Sequence, residues 1–153
     1  MIEAYPLHWP IGRKRTTYRE DSRFETTFAR ARDEVVRQVE LITGHRSGAI
    51  TRSNFARDGI SLVISTNIPL RRDGLPLAGH RQPNDPGVAV YFQRNNRDVA
   101  FACDRWKEVK DNMYAVAKTI DALRGIDRWG TGDMVEAAFR GFVALPAPEG
   151  SDW

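Results

Sequence analysis

The chain has 153 residues, a one-domain length that can bury a core without metal or disulfide support. Its 41% hydrophobic and 28% charged residues are ordinary globular values and exclude extensive disorder of the body. The lone Cys103 excludes an internal disulfide, no apolar run reaches a spanning length, and a formal charge of +3 is weak for a dedicated nucleic-acid binder.

The charge excess is confined to the first 60 residues, which hold 11 Lys+Arg against 8 Asp+Glu. Arginine outnumbers lysine 19 to 4, a ratio that codon bias explains as well as ligand binding does. Residues 1–21 read as an extended segment, since Pro6 and Pro10 interrupt regular structure while Tyr5, Leu7, Trp9 and Ile11 alternate. No positively charged start or unbroken apolar stretch marks a secretory signal, so the expected compartment is the cytoplasm. "RKRTTYRE", 13–20, is expected to be an exposed basic patch. Arg13, Lys14, Arg15 and Tyr18 are its candidate phosphate- or partner-binding residues.

A globular domain is expected over 22–143. Phe24, Phe28, Ala31, Val35, Val39 and Ile42 share one face of a first helix, with Ser22 as N-cap, Glu25 completing a capping box and Gly44 closing the end. Residues 45–58 are polar, with room for a short strand near Ile50. "GISLVISTNI" reads as a strand with Ile60, Leu62 and Ile64 on one face and Val63 on the other.

The stretch "NIPLRRDGLPLAGHRQPNDPGV", 67–88, is too long for a hairpin turn and holds four of the eight prolines. Asp73-Gly74 suits a turn with positive φ, which would fold "IPL" against "LPL" with Leu70, Leu75 and Leu77 as anchors. Its charged content, Arg71, Arg72, Asp73, His80 and Arg81, is the second candidate partner- or phosphate-binding set. The competing reading is a structural strap, its arginines paired with acids such as Asp85 or Asp98.

A hairpin follows, "GVAVYFQ" and "RDVAFACDR" flanking a turn at Asn95-Asn96. A second helix is expected from an N-cap at Asp104 to Gly125, striped by Val109, Met113, Val116, Ile120 and Leu123. A third spans about 133–142. Trp106 falls in the first turn of the second helix and Trp129 in the link after it; each reads first as a lid on the core, and both are candidate aromatic anchors because Trp dominates binding hot spots. Pro146 and Pro148 make 144–153 an extended linker or tail. The order implies an α+β fold: one small antiparallel or mixed sheet of three or four strands, two long helices over one face, and a third, C-terminal helix.

Catalytic patterns are weak. His8, His45 and His80 lack metal-ligand spacing, so neither metal nor cofactor is expected. Glu108 and Lys110 match an acid-x-Lys nuclease pair, but on a helix residues i and i+2 diverge by about 200°. Cys103 in "VAFAC" reads as a structural thiol and Ser65 has no nucleophile-elbow context.

The strings "TTFARARDEV", "VISTNIPLRRDGLP", "PGVAVYF", "ACDRWKEVKDNMYAVAKTIDALRGIDRWG" and "LPAP" resemble the N-terminal region of bacterial and prophage proteins that carry a DnaJ-like J domain at the C-terminus. The resemblance covers nearly the whole chain, with residues 45–58 as an insertion, and "APEGSDW" is similar to the linker that leads into a J domain. The His-Pro-Asp tripeptide of a J domain is not in these residues, so co-chaperone activity is not assigned to them. The resemblance implies a non-enzymatic adaptor domain of a phage or other mobile element, binding a protein partner. The alternatives are an anti-defence inhibitor of a host nucleic-acid machine, or a nucleic-acid-binding domain acting through the basic clusters. No membrane partner is expected.

Overall fold

The computed structural model describes residues 2–22, 24–44, 62–129 and 132–143. The proposed strand near Ile50, the insertion at 45–58, Ile60 and the tail at 144–153 lie outside them. The described elements are α1 (Phe28–Ile42), β1 (Leu62–Ser65), β2 (Val88–Arg94), β3 (Arg97–Cys103), α2 (Val109–Arg128) and α3 (Gly132–Arg140). The three strands form one antiparallel sheet in the order β1-β2-β3, an α+β arrangement.

The β2–β3 hairpin follows from two asparagines. Asn95 and Asn96 take φ of 51° and 63°, the left-handed pair that a two-residue hairpin turn requires. That turn sets Val90 opposite Phe101 and Phe92 opposite Val99. Period-two alternation then sorts the side chains. Leu62, Ile64, Val88, Val90, Phe92, Val99 and Phe101 join the main core under the helices. Ala89, Tyr91 and Ala100 face the other way and pack with Ile2, Leu7, Val63 and Ala102.

The extended N-terminal segment covers that second face. Leu7 N–H donates to Asn67 Oδ1 at 3.0 Å, His8 N–H to Ser65 Oγ at 2.7 Å, and Tyr91 Oη to the His8 carbonyl. Thr66 N–H donates to the Ala4 carbonyl at 3.0 Å beyond the end of β1. The sheet is therefore enclosed by helices on one side and by an extended strap on the other. β3 is closed along its outer side by Val143, which bridges to Val99, and by Ala100 N–H donating to the Phe142 carbonyl.

α2 packs across β2 and β3, and α1 packs along α2. α1 begins later than its periodicity predicts. Thr27 is the N-cap, its hydroxyl accepting from Arg30 N–H, while Ser22 accepts from Phe24 N–H in a local turn. Phe24 lies outside the helix because its ring meets Trp106 and Tyr114 edge-on, at centroid distances of 5.6 and 5.1 Å. Gly44, with φ of 84°, ends the helix as expected.

α2 also departs from expectation at both ends. Asp104 is not its cap: the helix starts at Val109, whose N–H is met by Gln82 Oε1 at 2.8 Å from the long loop. Gly125 does not stop it, and it runs on to Arg128.

Candidate functional site

Three places carry the charged and aromatic residues that the sequence singles out. The first is the basic stretch 13–20. Asp104 is only 4% exposed at the end of β3, and the strap supplies its hydrogen bonds: Arg15 Nε at 2.8 Å, Thr16 N–H at 3.0 Å and Arg19 Nη2 at 3.4 Å. Arg15 also reaches Asp85 at 2.5 Å and lies over the Trp9 ring at 4.3 Å. Burial alone would raise the Asp104 carboxyl, but the hydrogen bonds from Thr16 and Arg15 outweigh it and hold it below the usual carboxylate range. Arg15 shows the reciprocal effect: burial opposes its charge, and Asp85 and Asp104 more than restore it. Arg15 and Arg19 thus fasten the strap to the sheet and the loop. Arg13 donates from Nη2 to the Ala100 carbonyl at 2.9 Å and lies 5.5 Å from the centre of the Phe142 ring. Lys14 and Tyr18, the latter 82% exposed, make no side-chain hydrogen bond or ion pair among the described residues.

The second place is the loop 67–88. Its two arms pair as the sequence implies: Leu70 bridges Pro76, Arg71 N–H donates to the Leu75 carbonyl at 2.7 Å, and Gly74 has φ of 85°. Leu75 is the buried anchor, at 6% exposure; Leu70 and Leu77, expected to be anchors too, are about two-fifths exposed, at 40% and 42%. Arg71 pairs with neighbouring Asp73 rather than with Asp85 or Asp98, and Asp73 also accepts from Leu75 N–H at 3.1 Å. This fork closes the tip on itself. Further contacts bind the loop to the body. Arg32 donates to the Pro76 carbonyl at 3.1 Å, Gln82 caps α2, and buried Asn112 donates to the Pro86 carbonyl at 2.9 Å. The arms are a strap; Arg72, His80 and Arg81 remain exposed on it.

The third place is the two ends of α2, with Trp106 before its start and Trp129 after its end, at the corner with α3. Trp106 and Trp129, alike in sequence, differ sharply here. Trp106 is half-buried, its N–H and carbonyl both bonded by Asn112 and its ring placed between Phe24 and Arg105. Trp129 is 85% exposed, and its ring makes no aromatic contact or hydrogen bond among the described residues, so it is not the lid the sequence implies. Met134, in the first turn of α3, is 58% exposed and was not singled out by its sequence, because a helix stripe counts it as core.

No three His, Cys, Asp or Glu side chains gather as a metal set among the described residues. Burial pushes the Cys103 thiol up, and its Sγ donates to Asn112 Oδ1 at 3.3 Å. Glu108 precedes the first residue of α2, and the Lys110 ammonium of the acid-x-Lys pair donates to the Thr26 carbonyl at 3.1 Å. No helix among the described residues is long and apolar enough to cross a membrane. The chain has no significant match to any protein-family model, curated protein or solved structure.

Proposed function

We propose that this chain is a non-enzymatic interaction domain that binds a protein partner through the α2–α3 corner, with Trp129 as the anchor. The observation that carries the reading is the 85% exposure of Trp129 at the end of a helix whose opposite face is well packed. A tryptophan left in water forgoes one of the largest burial gains of any side chain, and such residues supply binding hot spots disproportionately. Met134, in the first turn of α3, is a second exposed apolar side chain, with a pliable thioether. The resemblance to J-domain-associated proteins of mobile elements supports the adaptor role.

The test is affinity purification from the native host with wild-type protein and with Trp129→Ala/Met134→Ala. The partner should be lost from the double variant while circular dichroism and melting temperature stay unchanged. A partner recovered equally by both proteins would refute the assigned surface.

A further inference from the structure

A shallow cleft of about 260 Å³ opens between the N-terminal strap and the end of β3. Its wall includes Trp9, Arg13, Lys14, Cys103, Asp104 and Arg105. The charges there do not balance. Asp104, its one carboxylate, is already engaged by Arg15, Arg19 and the Thr16 N–H. Arg13 and Lys14 have no acidic partner within ion-pair distance among the described residues. Arg105 has one, Glu20 at 2.9 Å, but both side chains are more than half exposed, so water screens that pair and it restrains the guanidinium weakly.

Arg13 is the informative member. It is half-buried, and burial pulls its guanidinium below the ordinary value while its hydrogen bond is to a neutral carbonyl. Guanidinium groups withdrawn from water are ordinarily matched by a carboxylate or a phosphate, and here the described residues supply neither.

We propose that this cleft binds a phosphate-bearing ligand, whose anionic oxygens take the hydrogen bonds left open on Arg13, Lys14 and Arg105. A guanidinium fork and a mobile ammonium suit the tetrahedral group. The cleft volume admits one phosphate ester or one nucleotide of a strand, and does not enclose a larger ligand. A free phosphate ester and the backbone of a single-stranded nucleic acid share this chemistry, and the choice of probe separates them.

Amide ¹H–¹⁵N NMR titrations of the full chain with inorganic phosphate, adenosine monophosphate and a single-stranded oligonucleotide provide the test. Saturable shifts are expected at Lys14, Thr16, Cys103 and Arg105. Lys14→Ala/Arg105→Ala, both at exposed positions, should weaken binding at least tenfold, whereas Arg72→Ala/Arg81→Ala should not. Saturation by the monophosphate with no tighter binding of the oligonucleotide identifies a free ester. Tighter oligonucleotide binding that falls steeply with salt identifies a strand. Shifts that do not saturate with any probe, or equal loss in the two double variants, would overturn the proposal. If the Lys14/Arg105 variant has lost native dispersion, Lys14→Gln alone supplies the comparison; unchanged affinity there would also overturn it.

Discussion

Two aspartates show how burial acts differently according to its partners. Asp104 is buried with its hydrogen bonds satisfied, and its carboxyl lies below the usual range. Its contribution to stability is present above the unfolded carboxylate pKa and is lost as pH falls through the folded value. Asp104→Ala should cost about 2–3 kcal/mol in chemical denaturation at neutral pH, less than a fully buried pair because Arg15 and Arg19 keep some water. Asp111, in the first turn of α2, is 3% exposed and its Oδ1 has no hydrogen-bond partner among the described residues. Burial raises its carboxyl; Lys110 and a hydrogen bond with Ser22 oppose this and Glu108 adds to it. A raised folded pKa means the favourable contribution exists at low pH and disappears as pH rises through that value, so ionised Asp111 is a cost at neutral pH. Asp111→Asn should stabilise the protein by about 1 kcal/mol at pH 7, after the loss of a favourable charge at the helix start, with the gain vanishing near pH 4. Calorimetric melting at both pH values checks this; a gain that persists at low pH contradicts it.

Among the elements, the two straps deserve comparison with the helices. Gly87 sits where the loop enters β2, and an added Cβ would lie 2.9 Å from Leu7 Cδ2 and 3.2 Å from Arg15 Nη2. Gly87→Ala should therefore displace the Leu7 and Arg15 side-chain ends that hold the N-terminal strap, at a cost of about 1 kcal/mol. Hydrogen exchange should report the change at Ala89 and Tyr91 before α1 responds; equal protection loss throughout would argue against a separable strap. Gln82→Ala removes the side-chain acceptor at Val109 N–H and should cost about 1 kcal/mol by thermal melting, as loss of a helix cap does. The hairpin, the folded-back loop arms and the two faces of β1 were legible in the sequence, because each follows from local rules: left-handed asparagines, Asp73-Gly74 and strand alternation. The helix starts were not. Ser22 and Asp104 are good capping residues by type, but Ser22 serves a turn and Asp104 is claimed by arginines about 85–90 residues away in sequence. Local propensity carries no information about partners that distant.

At the scale of the molecule, one hydrophobic core is built from three directions, and Phe101 lies at their meeting point. Its ring stacks with Phe92 at 5.8 Å and Phe142 at 4.3 Å and meets Phe139 of α3 edge-on at 6.1 Å. Phe101→Ala should cost about 3–5 kcal/mol and loosen α3 together with the sheet. The candidate sites were only half legible for the same reason that the helix starts were not. The basic clusters stood out by composition, yet Arg15, Arg19 and Arg71 hold straps in place, and the difference between Trp106 and Trp129 exists only in three dimensions. Among the described residues, the corner bearing Trp129 is one of the surfaces left unpartnered after the fold has used its share. Site-specific photo-crosslinking in the native host, with p-benzoylphenylalanine at position 129 and, as a control, at the similarly exposed position 18, tests that assignment directly. The account predicts one discrete heavier adduct from position 129, containing a protein other than this chain, and none from position 18. No adduct from 129, an adduct with a second copy of the chain, or the same adduct from both positions would contradict it.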